Sequence, residues 1–427
     1  MHLHEQPIEK EVQMIFVVLV RPLALVDTLF EAAGTVWDWF ILIVIILFAV
    51  LSIRLPSTST LRRQYTSAGD FYRQFDLANP PFHVITQDEM KHEKNDKQIH
   101  LAFLKVHKSG STTAQNIFLR FGWNHNLTFV LSPAHNAFKY PNIISLREPM
   151  FKNNTLDPPP GKHHEILCNH VVYNRESFRK YLPNDTIYVG ILREPYDFFK
   201  STLNYLKPGY IYNKIKTNIP ASDFLKDPLK YEPKSALFSF TNNRMAVEFG
   251  CPDEVVKSND KQKILNFIKG IDEDFKLVII AEHFEESIVL MRRYLRWTTK
   301  DILYNDKNIA KHKNETKLVG PYDRQLYKRW AKIDYAMYEH FYKRLRDQIR
   351  EEGYDFDDEL LHFREVRRMV SEFCSGDYKK SGAKLAVAAS KWSPKFEVDA
   401  AECDLIRKQE IPFVQDIRFR QYGSRDI

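Results

Sequence analysis

The sequence predicts an α/β fold, a central parallel sheet flanked by crossover helices. Three observations carry this. Short apolar runs of strand length recur at residues 101–104 (LAFL), 186–192 (TIYVGIL) and 276–281 (KLVIIA), the last two rich in β-branched residues. Helix-like segments come after them, such as Ala114, Ile117, Phe118 and Phe121 spaced as one helical face after the first run. Strands alternating with helices in this way are the pattern of crossover units, which build parallel sheets.

With 427 residues, 44% of them hydrophobic and 13% aromatic, the chain can core one large domain or two modest ones. The net charge of +7 is mild for this length and is not gathered into a basic arm, so no nucleic-acid partner is expected. A small anionic ligand or a surface near anionic lipid fits it equally well. Cys168, Cys251, Cys374 and Cys403 stand far apart with no C-x-x-C pair, so the cysteines predict no zinc site. An even count permits two disulfides, and the sequence does not separate the pairings.

In order along the chain, residues 1–35 form an N-terminal segment in which 14–26 is apolar but too short to span a bilayer and broken by Arg21-Pro22. Residues 36–53 contain one charge, Asp38, near the end that also carries Trp37 and Trp39, which predicts a transmembrane signal anchor. Arg54, Arg62, Arg63 and Arg73 lie just after the span, a bias that by itself places the C-terminal part of the chain in the cytoplasm. Four sequons, at Asn126, Asn153, Asn184 and Asn314, argue for a luminal domain instead. Residues 54–70 are polar and breaker-rich, a stem. The globular domain is expected over 71–372. Within it, 132–162 is loop-rich, 163–173 begins strand-like, a helix starts at Pro195, and 323–349 reads as one long core-facing helix. Residues 373–427 are a C-terminal extension whose periodicity does not say how it packs.

The chemistry concentrates in residues 99–121. A strand breaks into a basic, hydroxyl-rich turn (His107, Lys108, Ser109, Gly110, Ser111, Thr112, Thr113) and then a helix begins. That geometry binds phosphate, because orphan backbone N–H groups and the helix dipole converge on an anion. It is not a Walker A loop, since the lysine precedes the glycine, which speaks against a P-loop kinase. Lysine before glycine resembles the 5′-phosphosulfate loop of sulfotransferases, which bind the sulfate donor PAPS (3′-phosphoadenosine-5′-phosphosulfate). Lys108 is placed to neutralise charge on the leaving oxygen, with Lys105 beside it. A second anion clamp is expected from Arg193 at a strand end and Ser201 eight residues on. Leu146-Arg147-Glu148-Pro149 copies the tetrapeptide around Arg193 but lacks a preceding strand, and is read as coincidence. For a base, the candidates are His107, His163, His164 and His170, with His170 best placed between the two clamps. This chemistry requires no metal.

Several motifs in order resemble the Golgi galactose-3-O-sulfotransferase family. They run through residues 103–113 with Gln115 to Ile117, His125 to Thr128, Asn169 to Asn174, 188–201, 280–287 and 295–297. The resemblance implies a P-loop-like sulfotransferase fold in a single-pass type II Golgi membrane protein with a luminal domain. The implied reaction is PAPS-dependent sulfation of the 3-hydroxyl of a β-galactose on glycolipid or glycoprotein. It gives Lys105, His107, Lys108 and Ser109 to Thr113 the 5′-phosphosulfate role, Arg193 and Ser201 the 3′-phosphate role, and His170 the base. Asn169 departs from the family histidine, Thr112 from serine and Val106 from threonine. Two other readings are a sulfotransferase for another sugar hydroxyl or a uronic acid, and a silent glycan-binding membrane protein.

Overall fold

The computed structural model describes residues 97–427 apart from 137, 259, 306–321, 377 and 379–381. The expected anchor over 36–53, the stem over 54–70 and the sequon at Asn314 lie outside the described residues. Among the described residues no helix is long and apolar enough to cross a membrane.

Four strands form the sheet: β1 (Leu101–Phe103), β2 (Ile166–Leu167), β3 (Ile187–Leu192) and β4 (Phe275–Ile280). They lie in the order β2-β1-β3-β4, and all neighbours are parallel. The three apolar runs become β1, β3 and β4, each almost wholly buried as a sheet covered on both faces requires. The run beginning at residue 163 keeps only two strand residues. Its backbone leaves the sheet at His170, whose N–H bonds Asn142 and whose carbonyl accepts from Ile144, so the loop-rich stretch takes over the pairing. Gly190, in the middle of β3, is required by packing: a Cβ there would lie 2.6 Å from the Phe249 ring.

The helices that position the site are α1 (Ser111–Asn124), α2 (Arg175–Tyr181), α3 (Pro195–Leu206), α4 (Pro220–Lys226) and α5 (Arg244–Glu248). They continue with α6 (Lys261–Asp274), α7 (Phe284–Leu295), α8 (Asp323–Trp330), α9 (Lys332–Glu351), α10 (Asp355–Ser375), α11 (Ala400–Arg407) and α12 (Glu410–Tyr422). The expected single helix over 323–349 is two helices, broken at Ala331. The cause is tertiary capping. The Asn243 side-chain oxygen accepts the N–H groups of Ile333 and Asp334 at 2.8 and 3.2 Å, starting α9 afresh. In return Asp334 accepts the N–H of Ala246 at 2.8 Å, in the first turn of α5.

The main core surrounds the sheet, and a second, smaller core gathers Tyr196, Phe199, Leu203, Phe224 and Tyr327 between α3, α4 and α8. That second core fixes the inner side of α3. Residues 373–427, whose packing the periodicity does not give, lie against α1. Buried Arg120 donates to Glu402 at 2.7 Å and Asn116 to the Leu405 carbonyl at 3.1 Å, while Phe413, Val414 and Ile417 enter the main core. One disulfide, Cys374–Cys403, joins α10 to α11; Cys168 and Cys251 are buried free thiols.

The disulfide closes a loop of 29 residues in sequence separation, so replacing both cysteines by serine is expected to cost roughly 3–4 kcal/mol of stability. Urea denaturation measures this, and an unchanged midpoint would show that the α1 contacts alone secure the C-terminal segment.

Candidate functional site

β1 delivers its successor residues into a tight turn at the C-terminal end of the sheet. Lys108 adopts φ 53° and Gly110 φ 80°, both left-handed, and α1 starts immediately after Gly110. Open space surrounds the Gly110 Cα, so the backbone there can be approached closely. No side chain caps α1, and its first turn carries no acidic residue. Ser109 and Ser111 do not project outward; both hydroxyls donate to the Val106 carbonyl, at 2.8 and 2.5 Å, and tighten the turn. The result is an uncapped helix N-terminus presented by a braced loop, the form that receives an anion.

Three cations surround it. The Arg193 guanidinium, just past β3, donates to the Lys108 carbonyl at 3.1 Å. The Lys108 ammonium lies 3.6 Å from the centre of the Tyr205 ring. Burial, then the charges of Arg193 and Lys105, bring the Lys108 pKa down to about 8. Ser201 stands one turn before Tyr205 on the same face of α3, which directs that face at the loop. Lys105 is 3% exposed, and its ammonium lies 3.1 Å from both His170 Nε2 and a Glu410 carboxylate oxygen. Glu410 also accepts from the Thr112 hydroxyl at 3.1 Å and from the Asn142 amide.

The histidines divide. His107 and His170 stack with ring centres 3.7 Å apart, whereas His163 and His164 precede β2 at the other end of the strands. Glu248, at the end of α5, accepts the His107 backbone N–H at 2.9 Å and its Nδ1–H at 2.6 Å. Buried Arg244 donates to the same carboxylate at 2.7 Å and to the Leu146 carbonyl at 2.8 Å. Burial alone would raise the Glu248 carboxyl, but His107 and Arg244 hold it at about 2. An ionised Glu248 fixes the His107 tautomer with Nδ1 protonated and Nε2 as the basic nitrogen. His170 is bonded at both nitrogens: Nδ1 donates to the Lys105 carbonyl at 2.8 Å, and Nε2 accepts from the Lys105 ammonium. Burial, then His107 and Lys105, hold its pKa well below the usual imidazole value.

His107, His170 and Glu248 place donor atoms within 4.8 Å of one another, but all three are engaged, and the Lys105 ammonium occupies a cation's place. The structure thus brings Lys105, His107, Lys108, His170, Arg193 and the 109–113 turn together, with Ser201 on the facing helix. Asn169 is buried and accepts from Gln115 at 3.0 Å, so it ties α1 to the segment after β2. Arg147 is exposed and stacks on Phe238 from outside any strand, in keeping with a coincidental copy of the Arg193 tetrapeptide. Sequence reasoning missed Glu248, Arg244, Tyr205 and Glu410. An arginine and a glutamate four apart around Met-Ala-Val was the one local signal for the first two.

Comparison with known proteins identifies the family. The family description galactose-3-O-sulfotransferase matches residues 36–404. Galactose-3-O-sulfotransferase 3 of Mus musculus is 30% identical over 316 residues, covering 72% of each chain. Galactose-3-O-sulfotransferase 2 of Sus scrofa is 32% identical over 253 residues, 58% of this chain and 62% of that one. Galactosylceramide sulfotransferase of Homo sapiens is 29% identical over 246 residues, 56% and 55% of the two chains. Glu410 falls outside the family match.

Glu248 carries a sharp stability prediction. Glu248→Gln leaves Arg244 buried without its counter-charge and is expected to cost about 3–5 kcal/mol at pH 7. The wild-type carboxyl is depressed from 4.5 to about 2, so its contribution is full above pH 4.5 and is lost as pH falls through 2. Denaturation of both proteins across that window checks this, and a gap that does not narrow toward low pH contradicts it.

Proposed function

The chain belongs to the galactose-3-O-sulfotransferase family and is a carbohydrate sulfotransferase; we propose that it moves the sulfuryl group of PAPS to the 3-hydroxyl of a β-galactose. The observation that carries this reading is the uncapped α1 N-terminus ringed by Lys108, Lys105 and Arg193, with a carboxylate-held histidine in the same turn. The family implies PAPS as donor, and the cradle suits a dianionic group that has to approach the backbone at Gly110.

In the proposed mechanism the N–H groups opening α1 and the Thr112 side of the turn hold the 5′-phosphosulfate. Arg193 and Ser201 hold the 3′-phosphate. Lys108 leaves the Tyr205 face and neutralises the phosphate oxygen released as the sulfur–oxygen bond to the donor breaks. A new sulfur–oxygen bond forms to the galactose hydroxyl, whose proton passes to His107 Nε2. Glu248 accepts from Nδ1, which leaves Nε2 as the accepting nitrogen and holds the ring oriented, as the third group of a nucleophile–base–orienter set does. The base is assigned here to His107 in place of His170, which the sequence put first, because both His170 nitrogens are engaged. His170 then serves as the surface on which His107 stacks, and the Lys105 charge is already balanced by Glu410.

We further read the protein as a type II Golgi membrane enzyme, with residues 36–53 as anchor and the domain luminal, acting on glycolipid or glycoprotein galactosides. The side chains of Asn126, Asn153 and Asn184 belong to exposed residues, which supports sequon use.

The testing experiment is sulfate transfer from PAPS to galactosylceramide, terminal β-galactosides and uronic-acid polymers. Label on the galactose 3-hydroxyl is expected; label confined to other sugars overturns the acceptor. His107→Ala is expected to lose on the order of 10²–10⁴ in rate with PAPS affinity kept, and near-full activity returns the base to His170. Because the Lys108 pKa is near 8, its ammonium is present below that pH and lost above it. PAPS affinity should therefore weaken as pH rises through about 8. Lys108→Arg, which stays charged, should flatten this limb, and an unchanged limb assigns it to another group.

A further inference from the structure

A second cluster of donor groups lies at the opposite end of the strands. His100 immediately precedes β1 and Glu165 immediately precedes β2, and the register Leu101 to Ile166 sets those two residues side by side. His163 is two residues before Glu165, on the same side of an extended chain. His100, His163 and Glu165 accordingly each offer one ligand atom, all within 4.8 Å of one another.

We propose that this group is a divalent-metal site with one open position, and that zinc is the ion it takes. Two imidazoles and one carboxylate are a zinc donor set, which leaves a fourth tetrahedral position for water. The groups are arranged for it. His100 Nδ1 lies 2.7 Å from an Asp185 carboxylate oxygen, the kind of outer carboxylate that fixes a metal-binding imidazole, which leaves Nε2 as the nitrogen for an ion. One Glu165 oxygen accepts the Thr128 N–H at 2.7 Å, which orients the carboxylate and leaves its other oxygen available. His163 is exposed beside a shallow depression lined by Lys180, Tyr181, Leu182 and Pro183, so the site is open to solvent on one side.

The chain spacing hides this site. Its ligands come from the approaches to two neighbouring strands, 63 and 65 residues apart in sequence when counted from His100 to His163 and Glu165, and match no short motif. A bound ion ties the entry of β1 to that of β2, with Asp185 on the approach to β3 as outer partner. It lies at the end of the sheet away from Lys108 and His107, so its role is to hold strand register and not to take part in transfer.

The test uses the purified full chain, stripped with chelator and titrated with Zn²⁺, and with Co²⁺ as a spectroscopic probe. The wild type is expected to bind one more Zn²⁺ than His163→Ala, to develop the visible absorption of tetrahedral Co²⁺, and to rise in melting temperature with Zn²⁺. Glu165→Gln, which keeps an acceptor for the Thr128 N–H, should weaken the site at least tenfold without loss of fold. His107→Ala should leave the titration unchanged. Equal zinc content in wild type and His163→Ala overturns the proposal, as does loss of the ion in His107→Ala instead.

Discussion

The geometry of the candidate site hangs on one buried carboxylate. Glu248 accepts from the backbone and ring of His107 and from Arg244, and Arg244 reaches on to the Leu146 carbonyl. A single ionised group therefore sets a tautomer, pins the strand-to-turn junction and anchors part of the long loop. It is tolerated in the interior because several donors converge on it and a full positive charge stands beside it. The short helix that carries both residues is in turn started by Asp334 from a remote helix. The orientation of His107 thus traces back to the break between α8 and α9.

Charge balance around the turn separates two lysines that look equivalent in sequence. Lys105 is buried and faces Glu410, so its charge is matched within the protein and its ammonium orients His170. Lys108 rests on an aromatic face instead of a carboxylate, so its charge remains for a ligand. Burial and the neighbouring cations destabilise the Lys108 ammonium, a cost that a nearby negative charge would offset.

The features legible in the sequence were local ones. The strand, the basic hydroxyl-rich turn through Gly110, the helix after it and Arg193 at a strand end are all written in consecutive residues. The groups that were not legible act across the chain. Asn243 splits a helix whose periodicity runs on unbroken, and Glu410 enters the site from a helix with a proline in its first turn and buried Arg418 among its apolar residues. Arg418 belongs there because it donates to the Ser132 carbonyl at 2.6 Å, a partner that periodicity cannot supply. For His170 the sequence shows position alone; the hydrogen bonds at both its nitrogens, to Lys105, are visible only in the fold.

The pairing of Thr112 and Lys105 with Glu410 spans 298 residues from Thr112. During synthesis the anion-binding turn emerges from the ribosome long before its counter-charge exists. Until α12 is made and docked, the nascent domain holds in Lys105 a lysine without its carboxylate partner in a position destined for burial. A chain interrupted before Glu410 would keep residues 36–404, the whole of the family match, and lack the carboxylate that balances Lys105.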